Sequence, residues 1–94
     1  MNFNLNGKKA LIIGVANERS LAWAIARQLK DLGATLGFTY LGESLERRVR
    51  PLAESVGGEL IEPLDVGKDQ EIDTLFQKVG EKWGKLDILV HSVA

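Results

Sequence analysis

Four short apolar runs alternate with three stretches of helical period along this chain, and little but glycine and a few polar residues lies between them. That alternation excludes most folds at once. Strands separated by helices cannot close as hairpins, so they lie parallel, each joined to the next by a right-handed crossover. The strand runs are residues 9–14 (KALIIG), 34–40 (ATLGFTY), 59–65 (ELIEPLD) and 86–92 (LDILVHS). The first helical stripe is Leu21, Ile25, Leu29 and Leu32, stopped by Gly33. The second is Leu45, Val49, Leu52 and Val56, stopped by Gly57 and Gly58. The third is Ile72, Leu75, Phe76, Val79 and Trp83, stopped by Gly84. A βαβαβαβ chain of this kind builds an open α/β sheet with helices packed on it.

Strand order follows from polarity. The third run carries Glu59, Glu62 and Pro63; proline cannot donate to a ladder, so this strand belongs at an edge. The first and fourth runs are the most continuously apolar and belong inside. The order 3-2-1-4 satisfies both and is half of a Rossmann-type parallel sheet. Pro51 falls within the second helical stripe, where a lost hydrogen bond costs about 3 kcal/mol, so a kink or split is expected there. Trp23 and Trp83 lie on helices and read as packing residues. His91 reads as a strand-end residue held by backbone rather than as a catalyst.

The turn after the first strand raises the functional question. A dinucleotide fingerprint would place glycines two and five residues after Gly14, but those positions hold Ala16 and Arg19. A P-loop needs a second glycine and a lysine where this chain has Arg19-Ser20, so it fails. A receiver domain needs acidic residues ending the first strand, and Gly14 ends it here. What remains is a helix presented by a longer turn, its free amides and positive dipole end offering an anion site, with Ser20 at the cap or first turn and the small Ala22 and Ala24 behind it. A serine that merely caps the helix fits the spacing equally well.

Several functions are excluded by composition. With 45% hydrophobic and 27% charged residues in 94, the chain is one small globular unit. A net charge of −1 gives no basis for binding nucleic acid or an anionic membrane. There is no cysteine, hence no disulfide frame or thiolate chemistry, which suits the cytoplasm. No signal-peptide core or membrane-length apolar run is expected. No metal site is expected either.

The segment GVANERSLAWA at 14–24 resembles the Gly-x5-Ser-x-Ala turn of bacterial and plastid enoyl-acyl-carrier-protein reductases, a branch of the short-chain dehydrogenase/reductase superfamily. FTY at 38–40, Leu64-Asp65-Val66, and VHSVA at 90–94 match in the same order. The resemblance implies NADH as cofactor and, as substrate, an enoyl thioester on acyl carrier protein, reduced by hydride transfer. It implies that Gly14, Ser20 and Leu21 line the pyrophosphate and adjacent ribose, and that Asp65 and Val66 hold the adenine, the carboxylate accepting from its exocyclic amine. It implies further that Leu41 contacts the cofactor and that Ser92 and Val93 border the nicotinamide ribose. A homo-oligomer, a tetramer, located in the cytoplasm (or a plastid stroma) is also implied.

The family's catalytic tyrosine and lysine, separated by six residues, lie beyond the fourth strand. The only tyrosine here is Tyr40, and the corresponding later position is Arg47. No catalytic residue is therefore assigned, and residues 1–94 are expected to be the N-terminal dinucleotide-binding part of a reductase, the catalytic and substrate-binding segments being absent. A stand-alone nucleotide-binding or structural module is the alternative. At the end of the second strand, Leu41, Gly42 and Glu43 offer no cation for a 2′-phosphate, while Arg47 and Arg48 read as solvated, so NADH is expected over NADPH.

Overall fold

In the computed structural model, which describes residues 4–92, strands β1 (Lys9–Ile13), β2 (Thr35–Tyr40), β3 (Leu60–Pro63) and β4 (Ile88–His91) form one parallel sheet. Its order is β3-β2-β1-β4. Helices α1 (Leu21–Asp31), α2 (Glu43–Ser55) and α3 (Asp69–Trp83) make the crossovers. This is the Rossmann-type half-sheet expected from the alternation and from Pro63, which ends edge strand β3 opposite Tyr40.

Side chains that alternate along each strand build two cores. Ala10 and Ile12 of β1, with Leu36 and Phe38 of β2, pack against Ala22, Trp23 and Ala26 of α1 and Val49 and Ala53 of α2. Leu11 and Ile13 join Leu60 and Leu64 under Leu75 and Val79 of α3 on the other face. Burying a side chain such as Phe38 contributes about 1.5–3 kcal/mol, and Trp23 lies tilted beside it with ring centroids 6.0 Å apart. Gly37 leaves room for the Trp83 ring, whose edge stands 2.8 Å from where a Cβ would sit. The Trp83 indole donates to Glu59 at 2.9 Å. Both tryptophans therefore pack, as expected.

Three expectations are corrected. Leu21 is not a core residue but stands 68% exposed at the start of α1. The small residues Ala22 and Ala26 seat that helix closely on the sheet and turn its buried face away from Leu21, while Ala24 is exposed. Phe76 is likewise exposed, because α3 buries only the stripe through Leu75 and Val79. Pro51 does not split α2, which runs unbroken from Glu43 to Ser55. Its ring lies on the solvent side, where the carbonyl left without an amide partner can take water. Among the described residues β4 pairs with β1 alone, the end position that the order 3-2-1-4 gives it, and Leu89 is half-exposed.

Candidate nucleotide-binding site

Gly14 follows β1 with φ +115°, a conformation that favours glycine. A Cβ there would overlap the backbone carbonyl of Ser92, whose own N–H donates to the Ile13 carbonyl at 2.9 Å. The ends of β1 and β4 are thus drawn together where the strand order reverses, the place at which open α/β sheets bind ligands.

The turn from Gly14 to α1 replaces the missing glycines with side-chain acceptors. Ser20 Oγ accepts from the backbone N–H of Ala16 at 2.9 Å and of Asn17 at 3.1 Å. Asn17 Oδ1 accepts from the Arg19 N–H at 2.8 Å, and the Asn17 carbonyl from the Ser20 N–H at 3.1 Å. Ser20 does occupy the cap position, but its side chain makes no capping bond to the helix. This corrects the simple cap reading, because the hydroxyl oxygen serves the turn behind it. Its proton remains available to donate. Trp23 and Ala24 donate to the Ser20 carbonyl, while the N–H groups of Leu21 and Ala22 have no partner among the described residues. Those free amides and the dipole of α1 favour an anion.

Beside this turn lies a crevice of about 250 Å³ whose walls include Gly14, Val15, Leu41, Leu45, Asp65 and Val66. Leu41 is 56% and Val66 48% exposed. Leu21, Leu41 and Val66 are three of the five large apolar side chains left exposed among the described residues, and all three are expected cofactor contacts. Asp65 Oδ1 accepts from the Gly67 N–H at 2.9 Å; its second oxygen makes no hydrogen bond among the described residues. The Val66 N–H is also unpaired there. One free acceptor and one free donor therefore stand side by side at the crevice.

A larger hollow, about 570 Å³, opens between β3 and α3. Both of its cations are already paired, Lys78 with Glu62 at 2.8 Å and Lys68 with Glu71 at 3.6 Å, and Asp69 adds a further negative charge, so size does not make it the better site for an anionic ligand. A third hollow is formed by Ser44, Leu45, Arg47 and Arg48. Among the described residues no group of three His, Cys, Asp or Glu could hold a metal ion.

Tyr40 closes β2, half-buried against the α1–α2 core. Burial and the neighbouring Glu46 carboxylate push its pKa up, with the Arg50 guanidinium opposing them. Arg50 is itself bound to Glu46 at 2.7 Å. His91 lies exposed at the end of β4; its ring makes no hydrogen bond among the described residues, so the expected backbone partner is not there.

The structure thus places Gly14, Ser20, Leu21, Leu41, Asp65, Val66 and Ser92 at the carboxyl ends of the strands and the start of α1. Val93 lies outside the described residues. Sequence reasoning passed over Val15 and Leu45 as crevice walls, and over the free amides of Leu21, Ala22 and Val66. Backbone groups leave no trace in residue identity.

A doubly wound parallel sheet with an anion-ready helix end and an open crevice at its strand ends defines a Rossmann-type nucleotide-binding fold. Residues 14–94 match the sequence profile of the family described as Enoyl-(Acyl carrier protein) reductase, and the chain belongs to that family. It is 47% identical over 93 residues to an NADH-type enoyl-[acyl-carrier-protein] reductase of Rhizobium meliloti, covering 99% of this chain and 35% of that protein. A crystal structure of the Anaplasma phagocytophilum reductase in complex with NAD superposes with a TM-score of 0.89 at 46% identity, over 97% of this chain and 35% of that one. The Bacillus cereus reductase with NADP+ and an indole naphthyridinone gives 0.87 at 44% identity, over 95% and 35%. The chain spans about a third of the length of the curated relatives it matches.

Proposed function

We propose that residues 1–94 form the NADH-binding part of an enoyl-acyl-carrier-protein reductase. The observation that carries this reading is the adjacent pair at the crevice, the free Asp65 carboxylate oxygen and the free Val66 N–H. Adenine presents the complement, an exocyclic amine that donates and a ring N1 that accepts. Leu41 and Val66 supply apolar walls for the base and adjacent ribose. The Leu21 and Ala22 amides and the Ser20 hydroxyl bind the pyrophosphate, while Gly14 admits it close to the backbone. Ser92, and Val93 after it, border the nicotinamide ribose; the family resemblance supports that assignment. The bound cofactor supplies the hydride that reduces the 2,3 double bond of the enoyl thioester.

The chain's own residues bind and orient; none is assigned to proton transfer. Tyr40, its pKa raised by burial and the Glu46 carboxylate, is a poor donor placed on the adenosine side. Family membership further supports an acyl-carrier-protein substrate, a cytoplasmic setting and a homotetramer. No helix among the described residues is long and apolar enough to cross a membrane.

NADH is the cofactor of this reading because Arg50 is engaged by Glu46 and Glu43 follows Gly42 at the end of β2, where a 2′-phosphate would need a free cation. In the polypeptide that carries these residues, fluorescence titration is expected to show NADH binding at least about tenfold more tightly than NADPH, roughly one charge-assisted hydrogen bond. A preference for NADPH would show that Arg47 or Arg48 reaches the ribose. Residues 1–94 alone are expected to bind NADH without oxidising it in the presence of an enoyl thioester. Turnover above a protein-free control would place a proton donor within this chain.

A further inference from the structure

The Asp65–Val66 pair reads adenine only if both groups face the crevice at a fixed spacing, yet both have left the sheet. The last ladder contact is the Leu64 N–H donating to the Tyr40 carbonyl at 2.8 Å. Beyond it, the Asp65 N–H donates to Glu71 Oε1 at 3.0 Å. Glu71 is the third residue of α3, whose cap position is Lys68. An acid there ordinarily turns back onto the N–H of the cap residue itself. Here it reaches past the cap to the end of β3. The same carboxylate lies 3.6 Å from Lys68, and the Lys68 N–H donates to the Asp65 carbonyl at 2.9 Å.

Asp65 is thereby held at three points: its N–H by Glu71, its carbonyl by Lys68, and one carboxylate oxygen by Gly67. Only the remaining oxygen is free to turn toward a ligand. Resting on the nucleotide-binding reading, we infer that Glu71 is a positioning residue for adenine recognition: it fixes the Leu64–Asp65 peptide, and the Lys68 N–H holds the next one through the Asp65 carbonyl, so that acceptor and donor face the base together. Glu71 does not line the adenine crevice. It acts through Asp65.

The inference has a signature that a merely structural role lacks. Hypoxanthine reverses the edge of adenine, with a carbonyl in place of the amine and an N1–H in place of the acceptor. A fixed Asp65–Val66 pair therefore rejects it, whereas a loose pair does not. The test compares the affinities for NADH and for reduced nicotinamide hypoxanthine dinucleotide, in the polypeptide that carries these residues and in its variants. The parent is expected to favour NADH by at least about tenfold, the scale of a mispaired polar edge. Glu71→Ala is expected to lose most of that ratio, chiefly through weaker NADH binding. Glu71→Gln keeps an acceptor and is expected to retain the ratio; Glu71→Asp, one methylene short, is expected to lose it even if Glu71→Ala folds poorly.

Discrimination undiminished in Glu71→Asp and Glu71→Ala would overturn the inference. So would an equal loss of both affinities. A parent that binds neither dinucleotide, or binds both alike, would instead overturn the nucleotide reading on which it rests, and the two failures are therefore distinct.

Discussion

Ser20 commits its oxygen to the two amides of the turn before it, at 2.9 and 3.1 Å, and so leaves the first amides of α1 to a ligand. One hydroxyl shapes the turn and, in the proposed complex, offers its proton to a phosphate. Ser20→Ala removes both. The expected result is a loss of about 1 kcal/mol in stability, a typical hydrogen bond, and a weakening of NADH binding by about tenfold or more. Hydrogen exchange should report faster exchange at the Ala16 and Asn17 amides without global loosening. Protection unchanged at both would mean that the turn holds its shape without the serine. The family resemblance pointed to Ser20 by position, but residue identity could not tell a capping hydroxyl from one that faces backward. That distinction lives in a single rotamer.

Among the elements, β1 and β4 are tied by more than their ladder. The Lys9 N–H donates to Asp87 Oδ2 at 2.8 Å, and the Asp87 N–H returns to the Lys9 carbonyl at 2.9 Å. The Lys9 N–H, followed by the Lys85 ammonium, holds the Asp87 carboxyl below the usual carboxylate range. A carboxyl with its folded pKa depressed stabilises above the unfolded pKa and loses that contribution as pH falls through the folded one. Asp87→Ala is therefore expected to lower the thermal midpoint at neutral pH, and the gap should narrow as acid takes the parent through and below the aspartate range. A gap constant with pH would show that the charge contributes nothing there. The elements themselves were legible because each is a local period: the β1 run, the Val49–Leu52 stripe and the Gly33 and Gly84 stops all fall where the structure has them. Their buried faces were less legible. Leu21 and Phe76 fit the helical period yet lie exposed, since the sheet, rather than the stripe, chooses which side of the helix is covered. Glu71 carried a readable signal as an acid at the third helical position, but its partner at the end of β3 is set by tertiary packing.

At the scale of the whole molecule, the described residues measure 42 × 30 × 21 Å, with α1 and α2 on one face of the sheet and α3 on the other. This leaves the two edges unequal. Edge strand β3 is short, ends in Pro63 and carries Glu62 bound to Lys78, features that discourage further pairing. Edge strand β4 reads Ile-Leu-Val-His, with Leu89 51% exposed and no proline or charge within it. Its side away from β1 presents unpaired N–H and carbonyl groups, a template for another strand. A polypeptide limited to residues 1–94 is accordingly expected to self-associate as its concentration rises, edge to edge through β4. Leu89→Lys places a charge on that edge strand while leaving Ile88 and Val90, which pack against the α1–α2 core, in place. Sedimentation velocity across a concentration series should show larger species for the parent and a shift toward monomer for Leu89→Lys, with the circular dichroism of the two alike. Association undiminished in the Leu89→Lys protein would move the contact from this edge to another surface, of which the exposed Phe76 on α3 is the next to test.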